Sequence, residues 1–394
     1  MKNVLMFAAA AAAGLALADP SVTLNRVQQR YPWNGCVDID YSVAGVTVPE
    51  DYVLRFKVSW TDETGEHIAV ATNFLDYADC DLPLSDGTHR VTWDTAADGA
   101  AFRAKGVKAE LDLLYAPYTL ENARYMIVDI SAGKDATIYP VRLAGPTDYK
   151  VFNKDLYKTS KIVLRRNEAG SFWMGDSGDA SSYHYVSLTK DFYLGVFEVT
   201  RKQYWYVMGK NVGGNTNWDA DFCPQKVYYD ETRGSEGLLA KISARAKFKG
   251  EAIPAFVYPT ESQWEYACRA GTTSKFFDGT DGTDPVEVAK YAWLKNCGSE
   301  KRAHGVGQRQ ANPWGYYDMI GNEWEGCSDY AGVYPTGTIE NPAVDPTGPE
   351  EGTQRASKGS SYAYDSGYWG TSYVRLSIDP ALNSACIRLG LTLP

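Results

Sequence analysis

The segment Trp314–Glu325 (WGYYDMIGNEWE) is unlike either kind of regular backbone. It holds two Trp, two Tyr, two Gly and three carboxylates in twelve residues, with no period of 3.6 or 2 for its apolar side chains to follow. A chain carrying it must build part of its fold from irregular backbone. Such backbone is fixed by side-chain hydrogen bonds or by an ion, because it has no ladder of its own. Asp318, Glu323 and Glu325 bracket a turn at Gly321-Asn322 and could converge on one hard cation. Equally, they could cap turns or pair with Lys301 or Arg302.

The first third of the chain reads differently. Val37, Ile39, Tyr41 and Val43 alternate with polar residues, as do Leu54, Phe56, Val58 and Trp60, then Leu111 and Leu113, then Met126, Val128 and Ile130. Gly and Asp clusters such as Asp86-Gly87 and Asp98-Gly99 separate these runs. Short alternating strands at regular spacing predict an all-β immunoglobulin- or fibronectin-like sandwich over residues 19–145. Residues 146–159 lose the alternation and read as a linker, and a second domain is expected over 160–394. There, Thr200 stands three residues before Gln203 and Thr260 three before Gln263, two capping boxes that each predict a helix start. Leu238–Phe248 predicts a third, weaker helix.

Ahead of all this, Met1-Lys2-Asn3, the apolar run Val4–Leu17 and the exit Ala16-Leu17-Ala18 have the form of a signal peptide over 1–18. A secreted, periplasmic or cell-surface protein is expected. No later run is long enough to suggest a transmembrane helix. A net charge of −10 excludes a face able to neutralise phosphates, so nucleic acid is not an expected partner. The seven cysteines form no CxxC or Cys/His zinc spacing, and their pairing cannot be read from the sequence.

Four segments, in order, resemble the formylglycine-generating enzyme or sulfatase-modifying factor family. They are Gly170–Gly175 (GSFWMG) with Glu198-Val199-Thr200, then Tyr258–Gly271 (YPTESQWEYACRAG), Asn312–Glu325, and Arg355–Tyr362 (RASKGSSY), with Cys386–Leu389 closing. The resemblance implies an α+β domain of the C-type-lectin-like kind with much irregular structure. It also implies calcium as a structural ion, with side-chain oxygens from Asp318 and Glu325 and backbone carbonyls from Gly321 and Glu323.

The resemblance departs at the catalytic position. The family oxidase holds copper on two cysteines that follow the last motif, whereas Tyr362–Arg375 here contains none. Cu(I) needs soft thiolates, so copper and formylglycine generation are not expected. The sulfoxide-forming branch of the fold places iron on three His. The four His here, at 67, 89, 184 and 304, lack the HxxxHxE helix such sites use. No catalytic residue is therefore nominated. The stretch from Ser360 to Asn383 instead carries Tyr362, Tyr364, Asp365, Tyr368, Trp369, Tyr373, Arg375 and Asn383 among Ser and Gly. That composition suits a recognition surface for a glycan or a surface protein. A non-catalytic binding module is the leading expectation. A sulfatase-modifying oxidoreductase or accessory factor is one alternative. The other is a variable protein of a diversity-generating retroelement, a group that displays ligand-binding residues in this stretch.

Overall fold

The computed structural model describes residues 20–394 except 33, 101–104, 117, 211–219, 283 and 382. The expected signal peptide over 1–18 lies outside the described residues. Among them, no helix is long and apolar enough to cross a membrane.

Six antiparallel strands form the N-terminal unit: β1 (Ser21–Gln29), β2 (Cys36–Ala44), β3 (Tyr52–Asp62), β4 (Gly65–Ala71), β5 (Gly87–Asp94) and β6 (Lys105–Tyr115). They make two three-stranded sheets in the orders β1-β2-β5 and β4-β3-β6. The alternation read from the sequence works as the pleat requires. Val37, Ile39 and Tyr41 of β2 and Phe56 and Val58 of β3 have no exposed surface, and they meet Phe74 and Trp93 in one core.

The second domain begins earlier than expected. Strands β7 (Tyr125–Asp129) and β8 (Tyr139–Ala144) were expected in the sandwich, yet β7 pairs with β9 (Lys161–Asn167), Met126 facing Leu164 and Val128 facing Ile162. Residues Tyr125–Val128 are all buried, as a central strand covered on both faces must be. Four consecutive apolar residues carried that signal, which an alternating strand of an open face would not show. The expected linker is likewise packed structure. It contains a 3-10 turn at Tyr149–Phe152 and helix α1 (Leu156–Thr159). Val151, Phe152 and Tyr157 are buried against Tyr125, Val163 and Tyr317.

The remaining elements are β10 (Gly170–Met174), β11 (His184–Leu188), β12 (Phe192–Gly195), α2 (Arg201–Met208), β13 (Lys226–Tyr228), α3 (Tyr229–Arg233), α4 (Leu238–Arg245), β14 (Ala246–Phe248), β15 (Glu251–Ala252), α5 (Glu261–Arg269), α6 (Pro285–Val288), β16 (Glu325–Tyr330), β17 (Ala343–Val344), β18 (Arg355–Lys358), β19 (Leu376–Ile378), β20 (Ser384–Cys386) and β21 (Gly390–Thr392). A seven-stranded sheet runs β15-β14-β8-β7-β9-β12-β21, a five-stranded one β13-β20-β16-β18-β19, and a three-stranded one β10-β11-β17. Both capping boxes are formed, at Thr200 and at Thr260, each Thr accepting from the Gln backbone N–H and each Gln side chain accepting in return. The third helix ends at Arg245. Ala246–Phe248 leaves it to pair with β8 and β15, so the sheet claims three residues that propensity gave to the helix.

The sandwich docks through its Ala78–Leu82 turn. Ala78 and Cys80 enter the core of the second domain. Asp81, 5% exposed, lies 2.5 Å from Lys161 and 3.6 Å from Arg142 and accepts from the Tyr157 hydroxyl at 3.2 Å.

Candidate functional site

Asn312 folds the Trp314–Glu325 segment. Its Oδ1 accepts from the N–H groups of Trp314 and Tyr316, while its amide donates to the carbonyls of Ala267 and Cys268 at the end of α5. Asp318 and Asn322 both take the left-handed conformation, with φ of 56° and 60°. Gly321, at φ 83°, must be glycine, since a Cβ there would lie 2.4 Å from the Trp293 carbonyl oxygen. Asn322 then ties the turn inward, accepting from His304 N–H and donating to Glu198 at 2.8 Å.

The carboxylates of this segment separate into different tasks. Glu325 has no exposed surface. It is gripped by Arg388, Nη2 to Oε1 at 2.5 Å and Nε to Oε2 at 2.8 Å, and it accepts from the Trp264 indole at 2.6 Å. The Glu323 side chain pairs with Lys226 at 3.2 Å. Asp318 accepts from Gly307 N–H through Oδ2, but its buried Oδ1 has no partner. Glu198, which the sequence did not single out, is also fully buried with an unpartnered Oε1. Burial pushes the Asp318 carboxyl up to about 6, with the Glu325 charge adding to the rise. Burial, then the charges of Glu325 and Asp318, push Glu198 well above the usual carboxylate range.

Among the described residues no three His, Cys, Asp or Glu side chains converge on a metal. Two orphan carboxylate oxygens beside a left-handed turn do fit a hard cation held by at most two carboxylates plus carbonyls of the Gly321 and Glu323 type. The ion pair with Arg388 leaves Glu325 outside that set. Among the described residues no cysteine pair forms a disulfide, and all seven cysteines are buried. Burial raises the thiols of Cys268, Cys327 and Cys386, so none of these three is poised as a thiolate.

The stretch after β18 divides. Tyr368, 58% exposed, Tyr373 and Arg375 line a cleft of about 390 Å3, closed on the other side by Tyr334 and by the Asp176–Ser182 loop between β10 and β11. Tyr364 and Trp369 instead pack against each other and Trp324, with centroids 4.9, 5.6 and 6.1 Å apart. Both are partly exposed, and neither lines the cleft. Tyr362 is partly buried, and its carbonyl accepts from Ser299. Exposed Asp365 pairs with Lys295 at 3.4 Å. Asn383 bonds back to Asp379 in its own turn, and it does not line the cleft. Asp176, Asp179 and Tyr334 were missed by sequence reasoning. The signal available was a Gly-Asp-Ser-Gly-Asp loop joining two strands inside a family segment, where a scaffold displays functional side chains.

A buried charge network fixes one wall. Arg375 meets Glu261 with Nε at 3.0 Å and Nη2 at 2.9 Å, donates to the Gly332 carbonyl and covers the Tyr334 ring at 3.6 Å. Lys358, with no exposed surface, bonds Glu265 at 2.8 Å and the Tyr373 carbonyl at 2.9 Å. Burial opposes the charge on Glu265, but the cations of Lys358 and Arg269 outweigh it and hold this carboxyl down at about 2. Every group in the chain Arg269–Glu265–Lys358–Glu261–Arg375 thus has an opposite neighbour, as buried charges require.

A family model described as the sulfatase-modifying factor enzyme 1-like domain matches residues 158–382, more than half of the chain. Chaperone protein LppX of Paenibacillus barcinonensis is 30% identical over 193 residues, which is 38% of this chain and 66% of that protein. The formylglycine-generating enzyme of Streptomyces coelicolor is 30% identical over 138 residues, 32% of this chain and 40% of that one. The chain thus spans only part of these curated relatives. Among solved structures, Treponema denticola variable protein 1 superposes with a TM-score of 0.49 at 23% identity, covering 59% of this chain and 96% of that one.

Proposed function

This chain belongs to the family defined by the sulfatase-modifying factor enzyme 1-like domain, and from that premise we propose that it is an exported ligand-binding module whose site is the cleft between the Asp176–Ser182 loop and Tyr368–Arg375. The observation that carries this reading is the pairing of a rigid wall with an exposed aromatic. Lys358 and Glu261 immobilise Tyr373 and Arg375 from behind, and Tyr368 offers its ring to solvent at the mouth. Rigid Tyr faces among Ser and Asp give contact area at small entropic cost. The Tyr362–Arg375 stretch, where the family oxidase carries its copper ligands, has no cysteine to offer a soft metal.

A panel of glycans and cell-surface proteins tests it. The ligands retained by the wild-type protein are expected to be lost by Tyr368→Ala at unchanged melting temperature. Equal retention by that variant would remove the cleft as the site. The rival reading, a sulfatase-modifying oxidase, draws on relatives named formylglycine-generating enzymes. Incubation with copper and a Cys-x-Pro-x-Arg peptide is expected to give no aldehyde by mass spectrometry, and turnover would overturn the binding reading.

Calcium is proposed as a structural ion at Asp318 and Glu198, with the carbonyls of Gly321 and Glu323. The unpartnered oxygens of the two carboxylates support it. EDTA is expected to lower the melting temperature of the wild-type protein but not of Asp318→Asn; the same temperature with and without EDTA would rule the ion out.

A further inference from the structure

The edges of the N-terminal sandwich are not treated alike. An edge strand presents unpaired N–H and C=O groups that template pairing with another chain, and proteins blunt it with bulges, charges, proline or a covering segment. β1 carries a bulge between Leu24 and Arg26, and β6 lies against β1. The edge of β5 is covered by the segment that follows β4, with Leu75 N–H donating to the Thr92 carbonyl at 2.9 Å and Asp94 N–H to the Asn73 carbonyl at 2.8 Å. β4 (GEHIAVA) is left open. It ends the order β4-β3-β6, pairs with β3 along all seven residues without a register shift, and has no proline and a single charge, Glu66.

The register shows which backbone groups are open. Glu63-Thr64 is a two-residue turn between Asp62 and Gly65, and residues flanking such a turn are hydrogen-bonded to each other. Bonded and non-bonded pairs alternate from there along an antiparallel ladder. Glu66, Ile68 and Val70 therefore direct their N–H and C=O groups away from β3, and among the described residues no backbone group meets them. Their side chains share the outer face, with Ile68 65% and Val70 46% exposed.

We propose that β4 pairs antiparallel with β4 of a second copy of this chain, about a two-fold axis at Ile68, joining two three-stranded sheets into one. Charge complementarity selects this occupant. Centring on Ile68 overlaps the whole strand, sets Ile68 against its own copy and sets Glu66 against Val70 of the second copy. The neighbour of Val70 on β3 is Lys57, exposed on the same face. Glu66 then lies two strand spacings, roughly 10 Å between Cα atoms, from the second copy's Lys57, a span that two long side chains close. Lys57 can make this contact because its own pairing with Glu110 is loose, at 3.8 Å between exposed groups. The symmetry gives the Glu66–Lys57 pair twice around an apolar centre, which is the self-complementarity that a two-fold interface requires.

The test measures the mass of the full chain by sedimentation over about a hundredfold range of concentration, enough to carry a dimer from mostly dissociated to mostly formed. A concentration-dependent dimer is expected. Ile68→Lys, which sets two ammonium groups face to face on the axis, is expected to be monomeric with an unchanged circular dichroism spectrum. Glu66→Lys and Lys57→Glu each turn both ion pairs into like-charge contacts and are expected to weaken the dimer about tenfold. The double reversal Glu66→Lys/Lys57→Glu is expected to restore wild-type affinity. These two positions are exposed, so the reversals remain informative if Ile68→Lys fails to fold. A monomer at every concentration would overturn the proposal, as would a dimer that survives Ile68→Lys intact. Failure of the double reversal to recover affinity would overturn the two-fold register at Ile68.

Discussion

Arg388 shows how much one side chain can organise. Its guanidinium donates to Glu325 and to the carbonyls of Gly195, Val196 and Tyr317 with no surface exposed. Removing it strands a buried carboxylate, so Arg388→Met is expected to cost about 3–5 kcal/mol. Adding Glu325→Gln should restore part of that loss, which a double-mutant cycle in urea would measure. Asp329 gives a second residue-scale prediction. It accepts from the Glu261 N–H at the start of α5. Burial, with the Glu261 charge, pushes its carboxyl up to about 7 from 3.8. A raised carboxyl favours the folded state most at low pH and loses that contribution as pH climbs through 7. Glu265 works in the opposite sense. Its contribution is full above about 4.5 and is lost as pH falls toward 2. Asp329→Asn keeps an acceptor for the helix, and its melting temperature is therefore expected to vary less between pH 4 and 7 than that of the wild type. The carboxylate roles were only half legible in the sequence. A cluster on one turn could be seen, but Arg388 lies 63 residues from Glu325 and Glu198 lies 124 residues from Asn322, and no local pattern announces such a pairing.

Among the elements, the helices were the most readable because their start signals are local. Beyond its box bond the Thr260 hydroxyl meets only the neighbouring Ser262 hydroxyl at 3.0 Å, whereas the Thr200 hydroxyl donates to the buried Lys158 carbonyl at 2.7 Å. Replacing either by Ala should destabilise by roughly 0.5–2 kcal/mol, with Thr200→Ala nearer the upper end because it also orphans that carbonyl. Urea midpoints at constant slope would rank the two, and equal losses would mean that the Lys158 bond contributes nothing. Strands were readable as strands but not as members of a particular sheet. Tyr125–Asp129 has a strand pattern wherever it sits, and only its pairing with Lys161–Asn167 decides the domain. The cleft was legible where aromatics cluster after β18. Its opposite wall was not, because Asp176 and Tyr334 come from segments roughly 200 and 40 residues before Arg375 in a polar loop and an irregular stretch.

For the whole molecule, the question is whether two cores melt as one. The Ala78–Leu82 turn is seated in the second domain, and Asp81 answers both Lys161 and Arg142 there. Lys249 adds an ion pair with Asp51 at 2.8 Å. A single calorimetric transition is expected for the wild type. Asp81→Ala leaves two cations facing an empty place and is expected to split it, with the second domain melting first. One transition in both proteins would show that apolar packing of the turn alone couples the cores. This seated turn also bears on aim. Because the sandwich cannot swivel on its neighbour, the heading of the cleft is set by whatever grips the sandwich, as a lamp's beam is set by its bracket.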